Sequence, residues 1–173
     1  MPRILISLAF ALSLAACDSG HPGAVPQAEY EGDLGEAVVR HLIKNLPDPA
    51  PGVPKSYCIV KGKSLDATSP DFARRFADLK LRFLSGGALV VAPPDDAVVD
   101  PETRLAVFVL QIASIKPSGP ESWTVEVGWQ YKRFFEKLRY DVAIKDGKPA
   151  VLNSTRVEGN WQPAVAPASP TKP

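Results

Sequence analysis

The chain has 173 residues, 45% hydrophobic and 23% charged, with 20 Lys and Arg against 19 Asp and Glu for a formal net charge of +1. That mixture describes one globular domain with polar ends, and a balance so near neutral, without a long Lys/Arg run, excludes a nucleic-acid binder that acts through its field. Its two cysteines, Cys17 and Cys58, have no Cys or His cluster beside them, which excludes a disulfide framework and a zinc-scaffolded fold; no metal site is expected.

Arg3 supplies a positive start, Ile4 to Ala16 is a run of thirteen apolar and small residues, and Leu14-Ala15-Ala16 leads into Cys17. This is the pattern of a secretory signal with a small-residue cleavage site. A helix that spans a bilayer needs about 20 residues, so the run is too short for a permanent anchor. Leu14-Ala15-Ala16-Cys17 resembles the lipobox of bacterial lipoproteins. The resemblance implies that the Cys17 thiol receives a diacylglyceryl group and that residues 1–16 are then removed. Several acyl chains hold a protein on a membrane where one chain is marginal. The expected location is therefore the bacterial cell envelope, lipid-anchored and facing the periplasm. Asp18 resembles the inner-membrane retention signal of enteric bacteria, and the choice between inner and outer membrane stays open. Loss of residues 1–16 removes Arg3 and no acid, so the mature chain is neutral and its net charge selects no partner.

Residues 17–29 read as the lipidated cysteine and a flexible tether, because Gly20, Pro22, Gly23 and Pro26 accompany almost nothing large and apolar. Residues 30–161 form one α+β domain, and residues 162–173, with Pro163, Pro167, Pro170 and Pro173, an extended disordered tail. Within the domain, Asp33 and Glu36 form a capping-box pattern, and Leu34, Val38 and Leu42 lie on one stripe of a first helix that Pro47 ends. Pro47, Pro49, Pro51 and Pro54 make a stiff connector to a strand at 57–60. Ser69 as N-cap, Pro70 at the first helical position, and the recurrence of Phe72, Phe76, Leu79 and Phe83 predict a second helix that Gly86 and Gly87 stop. A short strand at 88–92 precedes the acidic turn Pro93-Pro94-Asp95-Asp96.

The last third is more regular. Residues 104–116 are apolar on both alternating faces, as in a central strand. From Trp123 to Phe134 the residues Trp123, Val125, Val127, Trp129 and Tyr131 share one face, and Thr124, Glu126, Gln130 and Lys132 the other. Leu138, Tyr140, Val142 and Ile144 repeat the period, Asp146-Gly147 is a hairpin turn, and residues 150–161 return. With linkers at 117–120 and at Phe135-Glu136, the expectation is an α+β fold in which two N-terminal helices pack on a curved antiparallel sheet ending in a four-stranded meander. Over residues 33–161 this layout resembles the cystatin-like and NTF2-like domains, a resemblance of architecture alone that implies no activity.

The chain lacks a Gly-rich phosphate loop, H-E-x-x-H, C-x-x-C and G-x-S-x-G, and no cofactor is expected. His41 is read as solvated or locally hydrogen-bonded, Cys58 as a buried inert thiol, and Asn153-Ser154-Thr155 as a coincidental glycosylation triplet. Enzymes of the NTF2-like group use an acid or tyrosine inside the cup of the sheet, and Tyr131, Tyr140 and Asp141 are the possible counterparts here. A ligand cup walled by Trp123, Trp129, Tyr131 and Tyr140 is the alternative to the main expectation, a non-catalytic interaction module. That module has two expected contacts: the membrane, through Cys17, and another envelope protein. Arg74, Arg75, Lys80 and Arg82, on or near the polar side of the second helix, are the candidate partner face.

Overall fold

A computed structural model describes residues 27–92 and 97–162 of the chain. The signal segment, Cys17, the tether up to Pro26, the turn 93–96 and the tail from Pro163 lie outside the described residues.

Two helices open the described chain, α1 (Gln27–Glu31) and α2 (Asp33–Lys44). Helix α1 takes Gln27 to Glu29 from the stretch assigned to the tether. The two helices approach so closely that a Cβ on Gly35 would stand 1.8 Å from the Tyr30 carbonyl oxygen, so only glycine fits there. Helix α2 buries Leu34, Val38, Val39 and Leu42, the stripe that the 3.6-residue period predicts. The capping box does not form. Gly32 is the cap, its carbonyl accepting the Glu36 N–H at 3.0 Å, and Asp33 and Glu36 instead use their carboxylates on Arg75.

The chain then passes through β1 (Ser56–Lys61), β2 (Asp66–Ala67) and α3 (Pro70–Arg74). Ser69 caps α3 as expected, its Oγ accepting the Phe72 N–H at 3.2 Å. The long second helix does not form. Helix α3 ends at Arg74, a single 3-10 turn covers Ala77–Leu79, and Lys80 at φ 55° swings the chain into strand β3 (Arg82–Leu84). The reason is tertiary. Phe83 packs on the Tyr57 and Phe76 rings at 5.8 and 5.5 Å, while Arg82 donates to the fully buried Asp100 carboxylate at 2.7 Å. Ser56 Oγ at 3.0 Å and the Glu102 N–H at 2.9 Å complete the shell of Asp100. The guanidinium of Arg82 outweighs burial and holds that carboxyl well below the ordinary range.

A second 3-10 turn leads to the hairpin β4 (Val90–Ala92) and β5 (Ala97–Val99). Strands β6 (Val107–Gly119), β7 (Ser122–Tyr131), β8 (Phe134–Lys145) and β9 (Lys148–Gly159) then form the expected antiparallel meander. Asp146 and Gly147 both have positive φ, 53° and 74°, as a two-residue hairpin turn requires. The preceding turn is at Lys132-Arg133, with Lys132 at φ 53°, and not at Phe135-Glu136, which pair with Gln130 and Trp129 inside β8.

The sheet order is β2-β1-β6-β7-β8-β9, with β3 also on β1. It is mixed, correcting the all-antiparallel expectation: β1 runs parallel to β6, with Tyr57 opposite Phe108, and β3 runs parallel to β1. A parallel pair needs a crossover of a dozen or more residues, and residues 62–106 supply it. Helices α2 and α3 cover one face, where Phe108 stacks on Tyr131 at 4.5 Å and on Tyr57 at 5.7 Å. On the other face, Leu89 and Val98 of the hairpin region cover a smaller cluster of Cys58, Val60 and Val107. Among the described residues, no helix covers the rest of that second face.

Candidate functional site

The four residues offered as a cup wall lie in the main core. Trp129, Tyr131 and Tyr140 are buried, and Trp123 is half-buried against them. Tyr140 meets His41 edge-on at 5.1 Å, and Trp129 Nε1 donates to Glu136 at 3.1 Å. Burial pushes the Tyr140 hydroxyl above its ordinary range, the opposite of what a catalytic tyrosine needs. Asp141 lies on the other face of β8, exposed, and accepts from Asn153 at 3.2 Å. The side chains of α2 fill the concavity that a cup would require.

The four basic residues do not form one face. Arg74 pairs with Asp71; Arg75 pairs with Asp33 at 2.8 Å and Glu36 at 2.9 Å; Arg82 is turned to Asp100 and Glu102. Lys80 is exposed at the left-handed end of the 3-10 turn. Because 75–84 is turn and strand, Arg82 stands on a different element from the others, and the three arginines, though exposed, pair with carboxylates of the same chain. His41 is partly buried, and burial with the Lys44 charge lowers its pKa. Cys58 is fully buried, and burial pushes its thiol up to about 11, a poor nucleophile at neutral pH.

Among the described residues, one feature open to a ligand is a groove of ≈ 570 Å³ on the sheet face away from α2 and α3, within the usual size range for ligand sites. Irregular backbone shapes it on three sides. At the end of β1, the Gly62 N–H donates to the Ile112 carbonyl at 2.9 Å, and Gln111 Nε2 donates to the Gly62 carbonyl at 2.8 Å. This ties down the turn that presents Lys63 and Leu65. Leu65 has φ 60° and is 53% exposed, an unfavourable conformation and environment for leucine. The floor carries Ala113, at a register shift of β6, and the far wall Val157, at a register shift of β9. Such bulges re-aim side chains and recur beside functional sites.

The rim is polar and fixed. Lys137 pairs with Glu158 at 2.7 Å, and Glu126 accepts the Ser114 hydroxyl at 3.0 Å. Gly128 deepens a smaller recess of ≈ 120 Å³ beside the groove, sharing Leu65, Gln111 and Lys137 with it. A Cβ on Gly128 would come 3.1 Å from the Glu136 carbonyl. Glu126 continues the trough to Thr124, Arg139 and Asp141.

None of the groove's shaping residues was singled out from the sequence. A glycine inside an otherwise alternating strand is the signal that could have pointed there. The groove is lined, among the described residues, by aliphatic surface and by charges of both signs. Among the described residues no group of three or more His, Cys, Asp or Glu could hold a metal ion, and no helix is long and apolar enough to cross a membrane. No protein-family model, curated protein or solved structure matches the chain.

Proposed function

We propose that the protein is a lipid-anchored component of a bacterial cell envelope, and that its α+β domain is a non-catalytic module engaging another envelope protein through the groove on the sheet face away from α2 and α3. The observation that carries the binding role is the exposed, left-handed Leu65, held across the groove from the bulged Val157. Such a position costs stability and has no packing return of its own. The anchor rests on Leu14-Ala15-Ala16-Cys17: an acylated Cys17 holds the domain near a membrane surface, where a modest affinity suffices because the effective concentration of a co-anchored partner is high.

A cystatin-like or NTF2-like architecture over residues 33–161 belongs to the same proposal. Its support is the order of elements, a helix α2 lying over a four-stranded meander that follows it in the chain. The ligand-cup alternative has less support, because its wall residues are packed against α2.

The test is crosslinking in intact cells of the unaltered chain, Cys17→Ser and Leu65→Asp. The unaltered chain should fractionate with membranes, take up labelled acyl chains and yield one specific crosslinked protein. Cys17→Ser should lose the acyl label and accumulate as the precursor that keeps residues 1–16, and Leu65→Asp should keep the label and the processing but lose the crosslink. Acyl labelling that survives Cys17→Ser refutes the anchor, and a crosslink that survives Leu65→Asp refutes the groove.

A further inference from the structure

Among the described residues, the ion pairs of the sheet face away from α2 and α3 leave two cations of the groove and its trough without a carboxylate partner, Lys63 at the groove and Arg139 farther along the trough. Among the described residues, Lys137 is taken by Glu158 at 2.7 Å and Lys116 lies 3.9 Å from Glu126, whereas Lys63 has no carboxylate oxygen within ion-pair distance. Lys63 is exposed, and it stands two residues from Leu65 on the turn that Gln111 anchors. One wall of the groove therefore presents an exposed aliphatic side chain with the unpaired Lys63 ammonium beside it, while the Asp66 carboxylate of the same turn accepts the Ser64 hydroxyl at 3.2 Å. The floor at Ala113 and the opposite wall at Val157 are aliphatic, and Val157 is 54% exposed.

We infer that the groove takes an extended segment of a protein partner in which an aliphatic side chain lies next to a carboxylate. The aliphatic group fills the space between Leu65, Ala113 and Val157, and the carboxylate meets Lys63 Nζ. This rests on the groove being the docking face proposed above. A fatty acid offers the same two groups but fits less well. Its acyl chain would desolvate Gln111, Glu126 and the Lys137–Glu158 pair without replacing their hydrogen bonds, whereas the backbone N–H and C=O groups of a peptide can replace them. An extended chain can also continue along the trough toward Arg139 and Asp141. Charge at Lys63 selects the partner more than it tightens the complex, so reversing that charge should reverse the selection.

The experiment uses the full chain carrying Cys17→Ser, with and without Lys63→Glu, and follows the methyl resonances of Leu65, Ala113 and Val157 by NMR. The probes are the peptide Gly-Glu-Leu-Glu-Leu-Glu-Gly, its counterpart with lysine in place of glutamate, and dodecanoate. The acidic peptide should shift the methyl resonances of these three residues and bind at least several-fold more tightly than the basic one, and Lys63→Glu should invert that order. Because Lys63 is exposed, the variant keeps the fold, and unchanged shifts of the Val38 and Leu42 methyl groups verify this. Equal affinity for both peptides, or an order that Lys63→Glu leaves unchanged, overturns the inference while leaving the groove a docking face. Saturation of the same methyl groups by dodecanoate alone also overturns it. Peptide-induced shifts confined to other surfaces, or none at millimolar peptide, overturn both the inference and the docking face.

Discussion

His41 shows how one side chain couples packing to conditions. It lies in the last turn of α2, where an imidazolium suits the helix dipole, yet it also packs edge-on to Tyr140 at 5.1 Å. Burial is the larger influence and Lys44 adds to it, so the folded chain holds the His41 pKa below its ordinary 6.5. As pH falls, the unfolded chain takes up this proton first, and stability declines from about pH 7 downward until the folded form is protonated as well. The melting temperature should therefore drop between pH 7.5 and 5.5, and His41→Gln should remove most of that drop. An identical pH profile in the variant would mean that other groups carry it. Glu31 and Asp78 do not compete in this window. Hydrogen bonds from Lys61 and Ser69 overcome burial to lower the first, and those from Arg40 lower the second, so both act below about pH 4.5.

At the scale of elements, β9 shows how an edge strand is both guarded and used. It is the outermost long strand, twelve residues with most of its second half exposed, and a bare edge of that length invites pairing with another chain. Two register shifts interrupt it, between its pairings with Asp141 and Val142 and again between those with Lys137 and Leu138. Asn153 Oδ1 also takes the Ser154 N–H at 2.9 Å. The second shift brings Val157 to the groove, so the same irregularity that protects the edge builds the site. Beyond β9, Trp161 packs edge-on to Phe134 at 5.3 Å and against Trp129 at 6.2 Å, while Arg156 donates to its carbonyl at 3.0 Å. This closes the end of the core. Trp161→Ala should cost about 2 kcal/mol in chemical denaturation with an unchanged denaturant slope, less than the ~3 to 5 of a fully buried tryptophan because this residue is only partly buried. No loss would show that the core is already closed at Gly159.

For the molecule as a whole, the crossover from β1 to β6 is the region where local signals and final structure part. Its helix and turns are fastened to α2 by Arg40, which bonds Glu36 at 2.8 Å, both Asp78 oxygens at 2.8 and 2.9 Å, and the Arg75 carbonyl at 2.6 Å. Its guanidinium also sits 5.3 Å over the Phe76 ring. Regions with few buried contacts open before the whole protein does. Arg40→Ala should therefore speed native-state proteolysis at residues 75–81 several-fold, with the amides of β6 to β8 keeping their exchange protection. Loss of protection throughout would mean that the crossover and the meander unfold as one unit.

What could be read without tertiary structure was the part governed by neighbours in the chain. The alternation of β7 assigned its core face correctly from Trp123 to Tyr131, the Asp146-Gly147 turn set the β8–β9 hairpin, Ser69 capped α3, and Leu34, Val38 and Leu42 marked the buried side of α2, because each depends on residues within a few positions. The α+β class follows from those elements together. The length of α3, the fate of the arginines and the groove depend instead on residues tens of positions apart. Phe72, Phe76 and Phe83 suit a helix by spacing, but the chain becomes a strand where it can pair with β1 and where Arg82 can reach Asp100. Arg75 could be seen as a surface charge until Asp33 and Glu36 came beside it. The groove exists because a tied turn and two register shifts on strands distant in sequence converge on one face. The sequence by itself determined the buried stripe of α2, the N-cap of α3, the core residues and last hairpin of the meander and the Leu14-Ala15-Ala16-Cys17 pattern. Tertiary structure alone decided which charges are neutralised and where a partner could dock, because both require groups that meet only when the sheet assembles.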